Sequence, residues 1–133
     1  MFTVQQIKTE HAKVKSGADY PRYVQAIKAL GLVEYQFMVE NGQTVYFGAD
    51  NFQTAGPPIY PVKIINPVAS TSQLKQTIRD HQVGKTDFLT FCEQVAGIGV
   101  HHWEVDTRSM LCTYYDVNGA RMIRERIPQS DQN

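Results

Sequence analysis

Apolar positions along the chain change their period in the same order in each half. Val4 and Ile7, with His11 and Val14 continuing the spacing, mark one helical face behind Thr3, which forms a capping box with Gln6 three residues on. Ser70 and Gln73 open a matching stretch in which Leu74, Ile78 and His81 share a face. Ser16-Gly17-Ala18-Asp19 and Gly84-Lys85-Thr86-Asp87 then interrupt the pattern. Each aspartate is placed to cap a second helix, with Pro21 tolerated in the opening turn because its missing N–H is not needed there. Tyr20, Tyr23 and Ile27 form the apolar trio of one second helix, and Phe88, Phe91 and Val95 that of the other. Both helices stop at a glycine, Gly31 or Gly99, which suits a left-handed C-terminal cap.

After each glycine the period becomes two. Val33, Tyr35, Phe37 and Val39 are expected on one side of a strand, with Glu34, Gln36 and Glu40 on the other. Asn41-Gly42 signals a hairpin into Thr44–Phe47. A long connection, Asp50–Pro58, precedes a third strand expected at Tyr60–Ile65. The second half reads as a strand from His101 to Asp106, a turn through Thr107-Arg108-Ser109, a return through Leu111–Tyr115, and a tight turn at Asn118-Gly119 into Ala120–Ile127. An offset of 68 positions lays Tyr20 on Phe88, Tyr35 on Trp103 and Tyr46-Phe47 on Tyr114-Tyr115 without a gap. Residue type and punctuation repeat rather than identity, so an old duplication is expected. The fold class that follows is α+β, a single domain over 1–133. It is built from two tandem ααβββ repeats, about 1–68 and 69–133, with antiparallel sheets that join or pack together and helices on the outside.

At 133 residues the chain is long enough to bury a core without disulfide or metal. Thirteen basic residues balance thirteen acidic ones, which leaves no net charge to draw the chain to nucleic acid or an anionic membrane. The apolar runs fall far short of the roughly 20 residues that span a bilayer. The opening Met1–Gln6 lacks the basic start and apolar core of a secretory leader, so a cytoplasmic location is expected. Cys92 and Cys112 have no spacing partners and read as buried, reduced thiols. No cofactor is expected.

Four stretches carry a likeness to a known family: Lys13–Pro21, Asn41–Gly48, His81–Cys92 and Cys112–Asp116. Through them the chain resembles the YbcV-like family of bacterial and phage-associated proteins, a domain of unknown function often labelled "phage envelope protein". The resemblance spans nearly the whole chain and implies no established activity, cofactor or catalytic residue.

The candidate chemistry is sparse. His11 and His81 hold matching places near the ends of the first helices, as an acid/base or metal pair or as caps on the last carbonyls. In His101–Asp106, alternation puts His102, Glu104 and Asp106 on one strand face, either a solvated surface or a partial metal set completed by Cys112. The Gly17 and Gly84 loops, with Lys15 and Lys85 nearby, could hold an anion at a helix start, although Asp19 and Asp87 would fill that place by self-capping. Tyr46 and Tyr114, with Met38 and Phe52, could line a ligand cleft between the repeats, bordered by the Asp50–Pro58 loop. The leading expectation is therefore a non-enzymatic module binding an unknown small molecule or protein, a homodimer among its possible states. A hydrolase or transferase using Cys112, or His102 with Glu104, competes with it, as does a phage or host interaction protein with an exposed apolar patch.

Overall fold

The computed structural model describes residues 2–15 and 19–127. Each half contributes two helices followed by three strands: α1 Val4–His11, α2 Tyr20–Ala29, β1 Leu32–Met38, β2 Gln43–Gly48 and β3 Gln53–Ala55, then α3 Thr71–Gln82, α4 Phe88–Ile98, β4 His102–Asp106, β5 Leu111–Tyr115 and β6 Arg121–Arg126. The strands form one antiparallel sheet in the order β3-β2-β1-β4-β5-β6. Its two central strands thus come from different halves, and Gln36 lies directly opposite Glu104 between them.

Local chemistry sets the helix ends. The Thr3 hydroxyl accepts from the Gln6 N–H while the Gln6 side chain accepts from the Thr3 N–H, so the capping box is complete. Ser70 caps α3, and Asp87 caps α4 by accepting from the Thr90 N–H at 2.8 Å. Asp19 behaves otherwise. Its backbone is already helical and its carboxylate accepts from the Lys15 N–H, so it does not cap α2. The expected break at Ser16-Gly17-Ala18 lies outside the described residues, as does the Gly17 loop.

All four helices cover the same sheet face. Phe88 and Phe91 of α4 meet Trp103 edge-on, Phe88 also meets Phe37, and the hydroxyls of Tyr20 and Tyr35 hydrogen-bond to one another. The core runs from Phe2 and Ile7 through Tyr23, Ile27, Tyr35 and Phe37 to Val95, Trp103, Val105 and Tyr114.

Three strand expectations are corrected. A register shift between Leu32 and Glu34 adds a residue to β1, which buries Leu32 fully and leaves Val33 half-buried. The first half's third strand is Gln53–Ala55, not Tyr60–Ile65. Asp50 and Asn51 both take left-handed φ, 58° and 65°, and the Phe52 N–H reaches the Ala49 carbonyl, a tight hairpin turn inside what reads as a long loop. The stretch 57–69 instead crosses to α3 as a strap. Its Pro61 has no N–H to give a ladder, and its Tyr60 hydroxyl donates to the Val39 carbonyl at 2.6 Å. Asn41-Gly42 belongs to a four-residue connection, since Met38 pairs with Gln43.

The two helix-ending glycines have unequal surroundings. Gly31 and Gly99 share φ near +100°, but a Cβ at 31 would meet nothing within 4 Å, whereas one at 99 would lie 2.7 Å from the Ala69 backbone. Gly31→Ala should therefore cost about 1–2 kcal/mol of conformational strain. Gly99→Ala should cost roughly 1–3 kcal/mol more, because the strap must shift as well. Urea denaturation of both variants checks this ordering, and equal losses would contradict the packing described at Gly99.

Candidate functional site

The sheet face without helices carries the polar groups. Directly paired residues of an antiparallel ladder share a face. Glu34, Gln36 and Met38 of β1 therefore lie beside Asp106, Glu104 and His102 of β4, which lie beside Leu111, Thr113 and Tyr115 of β5, with Arg124 of β6 next to Thr113. Here a shallow depression of about 270 Å3 is lined by Glu34, Glu104, Asp106, Thr113, Tyr115 and Arg124, among others.

Hydrogen bonds position these groups. Gln36 Nε2 donates to Oε2 of both Glu34 and Glu104 at 3.2 Å, so one amide holds two carboxylates at the β1–β4 seam. Asp106 Oδ1 accepts from the Arg108 and Ser109 N–H groups and is committed to its turn. Arg124 Nε donates to the buried Thr113 hydroxyl. His102 stacks on Tyr115, 4.8 Å between ring centroids at 14°, and its Nε2 lies 3.6 Å from Glu104 Oε2. Its Nδ1 is 2.9 Å from that of His101, which requires one proton between two ring nitrogens. Burial, and then the neighbouring His101, hold the His102 pKa below 6.5. Glu104 consequently faces a neutral imidazole at neutral pH.

The sequence-predicted residues do not gather in one place. Tyr46 pairs with Tyr35 and Tyr114 with Trp103, so both tyrosines are buried on the covered face. Met38 lies on the opposite face, where the outward neighbours of those tyrosines, Phe47 and Tyr115, are found. The Tyr46–Tyr114–Met38 cleft is therefore not assembled, because the helix trios claim the face that carries Tyr35 and Trp103. Phe52 packs edge-on against Phe2 at 5.0 Å.

Cys112 is on the covered face, 5% exposed, and burial pushes its thiol up to about 12. His102 and Glu104 are across the sheet from it, so neither a Cys–His pair nor the three-ligand metal set forms. Among the described residues no three of His, Cys, Asp and Glu converge on a metal-sized site. Burial likewise pushes the Cys92 thiol up to about 12. His11 meets Tyr23 and Phe88 edge-on, while His81 stacks on Phe91 at 4.4 Å with Nδ1 3.0 Å from the Thr86 carbonyl, so each ring has its own aromatic partner. Lys85 pairs with Asp80 at 3.6 Å and Asp87 caps α4, which leaves the Gly84 loop self-satisfied.

Several contributors escaped the sequence reading. Gln36, Tyr115 and Arg124 are polar or aromatic positions of alternating strands, and only the pairing register brings them together. The 68-residue offset, which makes Gln36 and Glu104 equivalent, was the signal that could have found the first. Thr107, fully buried in a turn, donates to the Leu32 carbonyl at 2.6 Å and ties β4 to the irregular start of β1.

The fold and this face define a class: a single α+β domain whose antiparallel sheet is covered by helices on one side and holds a polar depression on the other. The chain belongs to the family described as Protein of unknown function (DUF1398), whose profile matches residues 8–126. No curated protein matches the chain.

Three histidines make stability depend on pH. Burial lowers the pKa of His11, that of His81 against the opposing pull of Thr86 and Asp87, and that of His102. The unfolded chain takes up protons near pH 6.5, before the folded one does, so stability falls as pH drops through that value. Glu125, raised by burial, works in the opposite sense as pH falls toward the carboxylate range. The thermal midpoint should be level between about pH 8 and 7 and decline from about 6.5 to 5.5. A midpoint that stays level or rises across that interval in calorimetry would contradict the burial of these rings.

Proposed function

We propose that this chain is a duplicated ααβββ unit serving as a small-ligand-binding module, with the ligand held on the open sheet face over β4 and β5, between Glu34 of β1 and Arg124 of β6. The depression of about 270 Å3, lined by Glu34 and Glu104, whose carboxylates both accept from the Gln36 amide, is the observation that carries this reading. It is smaller than the roughly 300–1,000 Å3 of pockets that enclose drug-sized molecules and is open to solvent, which restricts it to a small ligand held at the surface. Glu34, Glu104 and Asp106 against the single Arg124 favour a ligand with a cationic group, an amine for example, whose polar remainder meets Arg124 and whose charge approaches the Tyr115 ring.

The duplication is supported by the central pair. Gln36 and Glu104, equivalent under the offset, face each other, and the order β3-β2-β1-β4-β5-β6 is what a two-fold through that pair generates. The likeness to the YbcV-like family adds no activity. Binding is favoured over hydrolysis or group transfer because the cysteine proposed as nucleophile lies across the sheet from His102.

Titration of the 15N-labelled chain with small amines and small carboxylates tests the reading. Amines should shift the resonances of Gln36, Glu104, Thr113 and Tyr115. Glu104→Gln should weaken the effect by about 10-fold or more, the size expected on losing a charge-assisted hydrogen bond. Shifts confined to other surfaces, or none with any compound, would sink it.

A further inference from the structure

The strap over residues 57–69 leaves four large aliphatic side chains in water: Ile59 at 53% exposure, Val62 at 71%, Ile64 at 91% and Val68 at 72%. Its inner side is fastened. Tyr60 reaches the Val39 carbonyl, the Lys63 N–H donates to Glu40, and Asn66 bonds to the Ala96 and Gly97 carbonyls of α4 through its N–H and side-chain amide. Pro57, Pro58, Pro61 and Pro67 restrict it further. It is thus an apolar rib already held in place, and ordering it on association costs little more.

We infer that this rib is a homodimer interface, each strap packing antiparallel on the strap of a second copy. The sequence around Lys63 is nearly symmetric in character. A two-fold axis at Lys63 sets Val62 of one copy against Ile64 of the other and leaves Ile59 and Val68 to meet the partner's outer prolines. The four side chains expose on the order of 500 Å2, so two copies bring together about 1,000 Å2, the lower bound for a specific interface. Lys63 Nζ lies 4.0 Å from Glu93 Oε1 of its own chain, so the charge beside the apolar contact is balanced within each copy and a two-fold axis there brings no unpaired like charges together. The balanced net charge adds no long-range repulsion between copies. This inference does not rest on the ligand reading, because the strap and the open sheet face are separate surfaces.

Sedimentation velocity of the full chain from about 1 to 200 μM tests it, with a reversible dimer expected in the micromolar range for an interface of this size. Ile64→Glu should be monomeric throughout, with an unchanged circular dichroism spectrum because residue 64 touches little in its own chain. Lys63→Glu should weaken the dimer, and Lys63→Glu combined with Glu93→Lys should restore it. That charge exchange also carries the test if Ile64→Glu folds poorly. A wild-type chain monomeric at the highest concentration overturns the proposal, even if another protein is found on the strap. An Ile64→Glu chain that dimerises like the wild type overturns it too, and so does a double exchange that restores nothing.

Discussion

Phe37 stacked on Trp103 holds the two halves of this protein to a single register. The residues are directly opposite on β1 and β4, with ring centroids 4.5 Å apart at 22°. Phe88 and Phe91 of α4 close on the stack, so the helix of one half covers a contact shared by both. Antiparallel register has a period of two, and slipping it by one residue would put the two rings on opposite faces and break the stack. The other strands are added outward from this pair, and helix packing on its aromatic side decides which face of the whole sheet is dry.

That division between faces explains the chemistry better than any single residue does. On the dry side, cysteine thiols and tyrosine hydroxyls are driven toward their neutral forms, as at Cys112, Tyr35 and Tyr114. On the open side, Glu34, Gln36, Glu104 and Arg124 remain hydrated and hydrogen-bonded to neighbours, at a place where strands from both halves meet. The open face presents charge and the Tyr115 ring, whereas the helices close the covered face.

Features governed by neighbours in sequence were legible from the chain alone: the capping box at Thr3, the cap at Asp87, the glycine stop at Gly99 and the aromatic trios of α2 and α4. Features governed by pairing were not. Alternation shows that Tyr46 and Phe47 face opposite ways but not which one faces the helices. Gln53-Thr54-Ala55 is too short and polar to announce a strand, yet an edge position beside β2 suffices to make it one. Tyr60–Ile65 has the composition of a strand but belongs to the proline-bound strap, and Gln53–Ala55 takes the strand place. Asp19 has the residue type of a cap and gives its carboxylate to the Lys15 N–H instead. The candidate site belongs to the second group, because its residues come from four strands and share only a face.

The central claim is that the β1–β4 pair is the most stable part of the molecule and that both halves depend on it. Native-state hydrogen exchange measures this directly. Amides of Leu32–Met38 and His102–Asp106, interior strands paired on both sides, should exchange only through global unfolding, while those of the edge strands β3 and β6 exchange sooner. If the β1 and β4 amides instead opened together at a lower free energy than β2 or β5, the halves would be separable units, and the account given of this fold would be wrong.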